Sequence, residues 1–189
     1  MKTFLFGCLG STALVLTAFA ALESGDAAPT FEAKASLAGA PFNFSLREAL
    51  DEGPVVVYFY PSAYTKGCNI QAHEFAENMD KFTAAGASVI GVSLDSIERL
   101  NDFSADPDYC AGKLAVASDS NGEISRSYDI AVRAGRDGAT DSRGVEIGHG
   151  FAERTTFIVT QDGEIAETIG GVSPMENVRK SLEAVQHSQ

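Results

Sequence analysis

One cysteine of the sequence, Cys68, occupies a position where a thiol could serve as a nucleophile. It follows β-branched and aromatic residues at 55–60, which predict a buried strand, and it precedes a helical pattern. Open α/β sheets place their sites at the carboxyl ends of parallel strands. The free N–H groups and the dipole of a helix N-terminus favour thiolate over thiol, as does the nearby Lys66. These features predict a reactive thiol.

The cysteine count leaves a second interpretation open. The chain has three cysteines, Cys8, Cys68 and Cys110, which are too few for a disulfide scaffold or a four-thiolate zinc site. The alternative to a reactive Cys68 is that it pairs with Cys110 in a structural disulfide, or that both remain buried thiols.

The first twenty residues predict a signal peptide that is cleaved after Ala20. They contain Lys2, an apolar run over residues 4–19 and small residues before the cut. A retained membrane anchor is the alternative, and a lipoprotein site at Cys8 is disfavoured because the apolar run follows it. Export to a periplasm would place the two remaining cysteines in an oxidising compartment, where cysteines often pair.

The composition is typical of one globular domain. The 189 residues are 44% hydrophobic and 21% charged, which excludes a disordered chain. With 26 acidic against 14 basic residues, the net charge of −12 excludes a nucleic-acid partner, because phosphates could not be neutralised. We therefore expect a signal peptide at 1–20, a linker at 21–30 and a domain at 31–189.

The order of predicted elements indicates an α/β, thioredoxin-like fold, in which a central mixed sheet is flanked by helices. A strand, a helix and a strand at 55–60, 69–85 and 88–94 predict a parallel unit. Strands at 155–159 and 164–169 flank a turn that contains glycine, which predicts a hairpin. The other predicted elements are strands at 42–44 and 114–117 and helices at 45–50, 95–103, 124–128 and 174–185.

Residues 131–150 contain no predicted element, because they are rich in glycine and arginine without an apolar period. A stretch of this length is either an active-site loop or a mobile insertion. Its Arg133, Arg136 and Arg143 could assist anionic substrates or remain solvated, and His149 is interpreted as a loop residue rather than a metal ligand. A separate acidic stretch predicts a solvated face, formed by Asp95, Glu98, Asp102, Asp106 and Asp108.

The residues before Cys68 resemble the signature of a known family. The segment Pro61-Ser62-Ala63-Tyr64-Thr65-Lys66-Gly67-Cys68 matches the Pro-x-x-x-Thr-x-x-Cys motif of peroxiredoxins. The closest resemblance is to the bacterioferritin-comigratory, or Q-type, branch of the AhpC/TSA family. It covers most of the chain, because further similar segments follow in family order at 25–31, 91–95, 118–119 and 154–159.

The resemblance implies roles for four residues. Cys68 would be the peroxidatic nucleophile, which attacks the peroxide and becomes a sulfenic acid. Thr65 would hydrogen-bond the thiolate and the peroxide, and Arg154 would stabilise the thiolate and the developing oxyanion. Pro61 would shape the turn and shield the sulfur from water. The alternatives are an exposed arginine at a strand start for Arg154 and an ordinary strand end for Pro61.

The resemblance also implies a second thiol. Many members carry it five residues after the first, where this chain has His73, which cannot form a disulfide and is expected to be a surface or partly buried helix residue. Other members place a resolving cysteine in a later helix–loop region, which Cys110 matches, and its polar flanks predict a mobile segment. A Cys68–Cys110 disulfide would require local unwinding of both segments. The alternative is a one-cysteine enzyme with Cys110 inert.

Together these expectations describe an exported thiol peroxidase. It would reduce hydrogen peroxide or alkyl hydroperoxides without metal, haem or flavin, take electrons from a thioredoxin-like or other dithiol donor, and be a monomer or homodimer. An exported thioredoxin-fold disulfide oxidoreductase is the first alternative, disfavoured because no Cys-x-x-Cys pair is present. A metal-binding chaperone is disfavoured because Cys68 has no close thiol partner, and a non-catalytic binding module would leave Thr65 and Arg154 unexplained.

Overall fold

The structure of the protein is a computed structural model that describes residues 21–187. In chain order its elements are β1 (Glu32–Leu37), β2 (Ala40–Ser45), α1 (Leu46–Glu52), β3 (Val55–Phe59), α2 (Lys66–Ala84), β4 (Ser88–Ser93), α3 (Ile97–Ala105), β5 (Ala115–Ser118), α4 (Glu123–Ser127), β6 (Val132–Arg133), β7 (Phe151–Ala152), β8 (Thr155–Val159), β9 (Ile165–Gly170) and α5 (Pro174–His187). A seven-stranded sheet has the order β2-β1-β5-β4-β3-β8-β9, and β6 pairs with β7.

The middle of the sheet has the predicted arrangement. All five residues of β3 are buried, as its unbroken β-branched and aromatic sequence predicts. This strand pairs in parallel with β4 across the α2 crossover and antiparallel with β8. The hairpin of β8 and β9 also forms. The predicted α/β fold with a mixed sheet is therefore confirmed.

Two local predictions are corrected. Strand β1 was not predicted, yet it pairs antiparallel with both β2 and β5, so antiparallel strands lie at both edges of the sheet. Helix α2 begins at Lys66 rather than at residue 69, because the extended Thr65 is its N-cap. Cys68 consequently lies within the first turn of the helix rather than before it.

Alternate residues of β3 pack into two cores on opposite faces of the sheet, as the period of a strand requires. Val56 and Tyr58 belong to the first core, which α2, α3 and α5 cover. The first core also contains both Cys68 and Cys110. Tyr58 occupies the space over Gly91 of β4, where a Cβ atom would lie 2.5 Å from the phenol oxygen.

The N-terminal segment is attached to the domain. Gly25 N donates to Ile165 O at 2.8 Å, Ile165 N donates to Asp26 O at 2.9 Å, and Ala28 N donates to Gly163 O at 2.8 Å. The segment predicted as a linker at 21–30 therefore lies along the start of β9. The predicted signal peptide at 1–20 lies outside the described residues. Over residues 21–187, no helix has the length and apolar character needed to cross a membrane.

Candidate active site

Cys68 lies at the N-terminal end of the long helix α2. The first backbone bond of the helix runs from Asn69 N to Thr65 O at 2.8 Å, so the N–H groups of the three residues between them have no carbonyl of the helix to bond. The Cys68 side chain is 2% exposed, which removes most competing water from the sulfur. The helix dipole and these N–H groups stabilise negative charge at this position.

Arg154, between β7 and β8, directs its guanidinium at the sulfur of Cys68. Its Nη2 donates to Sγ at 3.4 Å, and its Nη1 donates to Oε1 of Gln71. Gly67 makes this approach possible, because a Cβ atom there would lie 3.1 Å from Nη2. Arg154 is therefore a half-buried partner of the thiol and not an exposed arginine at a strand start.

A buried network of hydrogen-bonded polar side chains supports Arg154. Gln71 donates from Nε2 to Oδ1 of Asn177 at 2.8 Å, and Thr156 donates from its hydroxyl to the same oxygen at 2.7 Å. Asn177 donates in turn to Ile169 O at 3.1 Å. Gln71, Thr156 and Asn177 are all fully buried. We did not predict this network. The signal for it was an amide side chain, Gln71, on the inner face of α2, one turn after Cys68.

Thr65 and Pro61 lie in the turn that joins β3 to α2 and leads to Cys68. The Thr65 hydroxyl donates to Ser62 O at 2.9 Å. Its single proton is thus directed to Ser62 rather than to the thiolate, and its oxygen keeps a lone pair that can accept a hydrogen bond. Pro61 is half-buried and follows directly after Tyr60, whose N–H makes the last bond to β4, to Val92 O at 3.1 Å.

Asp95 forms hydrogen bonds with the same turn, an interaction that the sequence did not predict. Its completely buried carboxylate accepts from Ser62 Oγ at 2.8 Å, Ala63 N at 2.7 Å and Ser93 Oγ at 2.7 Å. Burial alone would raise the pKa of Asp95, but the hydrogen bonds it accepts, the strongest from His149, lower that pKa below its ordinary value. The prediction that Asp95 belongs to a solvated acidic face is therefore wrong.

Part of residues 131–150 contacts this turn, although most of the segment is exposed. Ser142 N donates to Tyr64 O at 2.9 Å, and the Arg143 guanidinium stacks on the Tyr64 ring at 3.2 Å from its centroid. Tyr64 has a φ of +61°, a strained value for a residue with a side chain. Ser142 and Arg143 thus lie against the strained turn, as residues of an active-site loop would, whereas Arg133 and Arg136 are exposed and have no contact with it among those described.

Cys110 is buried completely in the same core as Cys68, contrary to the mobile setting that its polar flanks predicted. Its segment is fixed by backbone bonds such as Ala111 N to Asp106 O at 2.8 Å. Burial raises the pKa of the Cys110 thiol, with a smaller contribution from Asp106. Tyr58 belongs to the same core as both thiols, and burial raises the pKa of its phenol well above the ordinary value. Both cysteines are free thiols in this state.

His73 is an exposed residue of α2, as predicted. Its Nδ1 lies 3.1 Å from the carbonyl oxygen of Asp108. The side chain therefore joins the helix that carries Cys68 to the segment that carries Cys110.

A shallow groove of about 390 Å³ opens beside Thr65. Apolar and polar residues line it, among them Ala139, Thr140 and Ile147 of residues 131–150 and Phe151 of β7. A small molecule could approach the Cys68 turn from this side. The arrangement as a whole combines a desolvated thiol, a permanent cation in contact with it and a groove beside the turn that precedes it.

Comparison with known proteins gives a consistent result. Residues 24–168 match the AhpC/TSA family. A Mycobacterium tuberculosis protein that carries the peroxiredoxin name is 34% identical over 126 residues, which are 67% of this chain and 73% of its own. Peroxiredoxin Bcp of Escherichia coli is 31% identical over 111 residues, 59% of this chain and 64% of its own.

Solved structures share the fold. The bacterioferritin comigratory protein of Xanthomonas campestris, described for its alkyl peroxide reduction activity, is 26% identical with a TM-score of 0.65, over 82% of this chain and 90% of its own. Peroxidoxin BcpB from Mycobacterium tuberculosis has a TM-score of 0.74 over 89% of this chain and 99% of its own. At 24% identity, that second likeness supports the fold alone.

Proposed function

Because this chain belongs to the AhpC/TSA family and is a thiol-dependent peroxidase, we propose that Cys68 is its peroxidatic nucleophile and that Arg154, Thr65 and Pro61 form the site around it. The observation that carries this proposal is the contact of Arg154 Nη2 with the Cys68 sulfur at 3.4 Å. A buried thiolate is costly unless a cation and hydrogen-bond donors compensate it, and this site supplies both.

The first step follows from this geometry. The Cys68 thiolate attacks the terminal oxygen of a peroxide, the O–O bond breaks, and the sulfur is oxidised to a sulfenic acid. The leaving hydroxide or alkoxide takes up a proton and departs as water or alcohol. Arg154 stabilises the charge that moves from sulfur to the leaving oxygen, because its guanidinium remains cationic throughout. Thr65 can accept the hydrogen bond of the peroxide O–H and so orient the attacked oxygen.

We propose hydrogen peroxide and alkyl hydroperoxides as the substrates. The groove beside Thr65 offers an organic group a place next to the turn, and its lining includes Ile147 and Phe151. The alkyl peroxide reduction described for the Xanthomonas relative supports this choice.

The second step of the proposed cycle joins Cys68 to Cys110. The Cys110 thiol would attack the sulfenic sulfur, form the disulfide and release water. Burial raises the pKa of Cys110, so in the closed structure this thiol is protonated and a poor nucleophile. Resolution therefore requires both segments to open locally, which also allows the geometry that a disulfide demands. A thioredoxin-like or other dithiol donor would then return two electrons by thiol–disulfide exchange.

Replacing Cys110 by alanine separates the two steps. Alanine is preferable to serine, since an unpaired hydroxyl in this apolar core would cost about 1–3 kcal/mol. We expect Cys110→Ala to react with the first equivalent of peroxide as the wild type does, and to lose turnover with thioredoxin as the reductant. Turnover with dithiothreitol should persist, because a small thiol can reduce the sulfenic acid directly.

The wild type serves as the control in the same assay. Peroxide consumption by the wild type with dithiothreitol tests the peroxidase activity itself. Equal turnover of Cys110→Ala and the wild type with thioredoxin would contradict the two-cysteine cycle and leave a one-cysteine enzyme.

We also propose that the protein is exported to a periplasm. The basic start, the apolar run over residues 4–19 and the small residues before Ala20 support this. Expression of the full chain in a Gram-negative host should yield a periplasmic protein whose N-terminal residue is Ala21, as read by mass spectrometry. An intact Met1 terminus on cytoplasmic protein would contradict export.

A further inference from the structure

Both ring nitrogens of His149 face hydrogen-bond acceptors. Nδ1 lies 2.7 Å from the carbonyl oxygen of Gly150, and Nε2 lies 2.8 Å from Oδ1 of Asp95. Neither a carbonyl oxygen nor an ionised carboxylate has a proton to donate, so both can only accept hydrogen bonds. Both nitrogens must therefore carry a proton for both contacts to be hydrogen bonds, which makes the ring an imidazolium.

Through Asp95 this histidine is connected to the turn before Cys68. The Asp95 oxygen that faces His149 also accepts from Ser62 Oγ at 2.8 Å, and the other oxygen accepts from Ala63 N at 2.7 Å. Ser62 in turn offers its carbonyl to the Thr65 hydroxyl at 2.9 Å. Only two side chains, therefore, separate His149 from the backbone that positions Thr65 and the first turn of α2.

Three charged groups surround this connection, Arg99, Asp141 and Arg143. Arg99 lies with Nε 2.9 Å from Asp95 and with Nη2 2.8 Å from Asp141, which also pairs with Arg143. Burial and the Arg99 charge disfavour the imidazolium, but the bonds to Asp95 and Gly150 outweigh them, and the pKa of His149 is raised above its ordinary value.

We propose that His149, as an imidazolium, is a positioning residue for the reaction of Cys68 with peroxide, acting through Asp95 on the Ser62–Ala63 turn. The inference rests on the proposed role of Cys68. When the ring loses a proton, it can donate to only one of its two acceptors and no longer carries the positive charge that faces the Asp95 carboxylate, so His149 holds Asp95 and the turn less firmly. A looser turn places Thr65 and the thiolate less accurately for attack.

The sign of the pH effect follows from this. A pKa that is raised in the folded state means that the second hydrogen bond is present at low pH and is lost as the pH rises through that pKa. Ionisation of a thiol in general has the opposite trend, since the thiolate fraction increases with pH. The ratio of wild-type to variant rate constants isolates the contribution of His149, because the thiolate trend is common to both proteins.

The test measures the rate constant for hydrogen peroxide from about pH 5 to 9 in the wild type, His149→Phe and His149→Gln. At the acid end we expect His149→Phe to react on the order of 10-fold more slowly, and its deficit to shrink as the pH rises. Glutamine can donate one N–H to Asp95, so the rate constant of His149→Gln should be intermediate at low pH. At high pH, the rate constants of the wild type and His149→Gln should converge. His187→Phe, at an exposed histidine of α5, is the matched control and should behave as the wild type does.

A purely structural role of His149 would lower thermal stability without this pH signature. Wild-type rate constants in His149→Phe at every pH, or a ratio that does not vary with pH in either variant, would overturn the inference and leave the peroxidase intact. If His149→Phe does not fold, the wild type and His149→Gln still make the comparison. A wild type that consumes no peroxide would overturn the proposed function and this inference together.

Discussion

Cys68→Ser should consume peroxide no faster than buffer does, with either dithiothreitol or thioredoxin as the reductant. A serine hydroxyl is almost entirely protonated at neutral pH, even beside the Arg154 guanidinium at the start of a helix. Oxygen also cannot form the sulfenic acid on which every later step depends. Peroxide remaining after a timed incubation is the readout, and circular dichroism checks the fold.

The matched control is Cys110→Ala, which removes the other buried thiol of the same core and should keep the first oxidation step. With dithiothreitol as the reductant, Cys110→Ala should therefore still consume peroxide. Loss of dithiothreitol-driven peroxide consumption in both variants, with both folded, would contradict the assignment of Cys68 alone as the nucleophile. Full activity of Cys68→Ser would remove Cys68 from the mechanism.

Arg154→Met should lower the rate constant for peroxide by about 10²- to 10³-fold, the range found when one preorganised donor is removed from a charge-stabilising site. The loss is large because the guanidinium bonds the sulfur through Nη2 and Gln71 through Nη1. Methionine keeps most of the volume and removes the charge. Single-turnover oxidation of the protein by a limiting amount of peroxide measures the effect without the reductant steps.

Two further variants test whether the effect of Arg154→Met comes from the loss of the guanidinium at the sulfur. Arg154→Lys restores a cation but not the planar fork, so we expect an intermediate rate constant. Arg47→Met, at an exposed arginine of α1, removes one charge elsewhere and should react as the wild type does. A wild-type rate constant in Arg154→Met would show that its contact with Cys68 does not serve the reaction.

The fold was largely predictable because its central strands are unusually regular in sequence. Residues 55–59 are buried on both faces and consist only of β-branched and aromatic residues, so their pattern admits few other interpretations. Strand β1 was missed because Glu32–Leu37 has mixed composition and is held by long-range pairing with β2 and β5. Such pairing is a property of the tertiary structure and leaves little local signal.

The site was predictable only where a motif carried it. Resemblance indicated Cys68 and Arg154, although 86 positions separate them in the chain, and the structure brings them into contact. The supporting groups were not predictable, because a buried carboxylate such as Asp95 looks like a surface residue until its partners are known. His149 was hidden for the same reason, within a segment that has no periodic pattern. The mobile setting predicted for Cys110 was wrong, because polar neighbours in the sequence can point outward while the thiol packs inward.

The most direct test of the central claim is mass spectrometry after one equivalent of hydrogen peroxide. For the reduced wild type, we expect the loss of two hydrogen atoms and a peptide in which Cys68 is linked to Cys110. For Cys110→Ala, we expect the gain of one oxygen atom, located on Cys68 as a sulfenic acid. An unmodified Cys68 in both proteins, with the peroxide either unconsumed or spent on other residues, would contradict the assignment of Cys68 as the nucleophile.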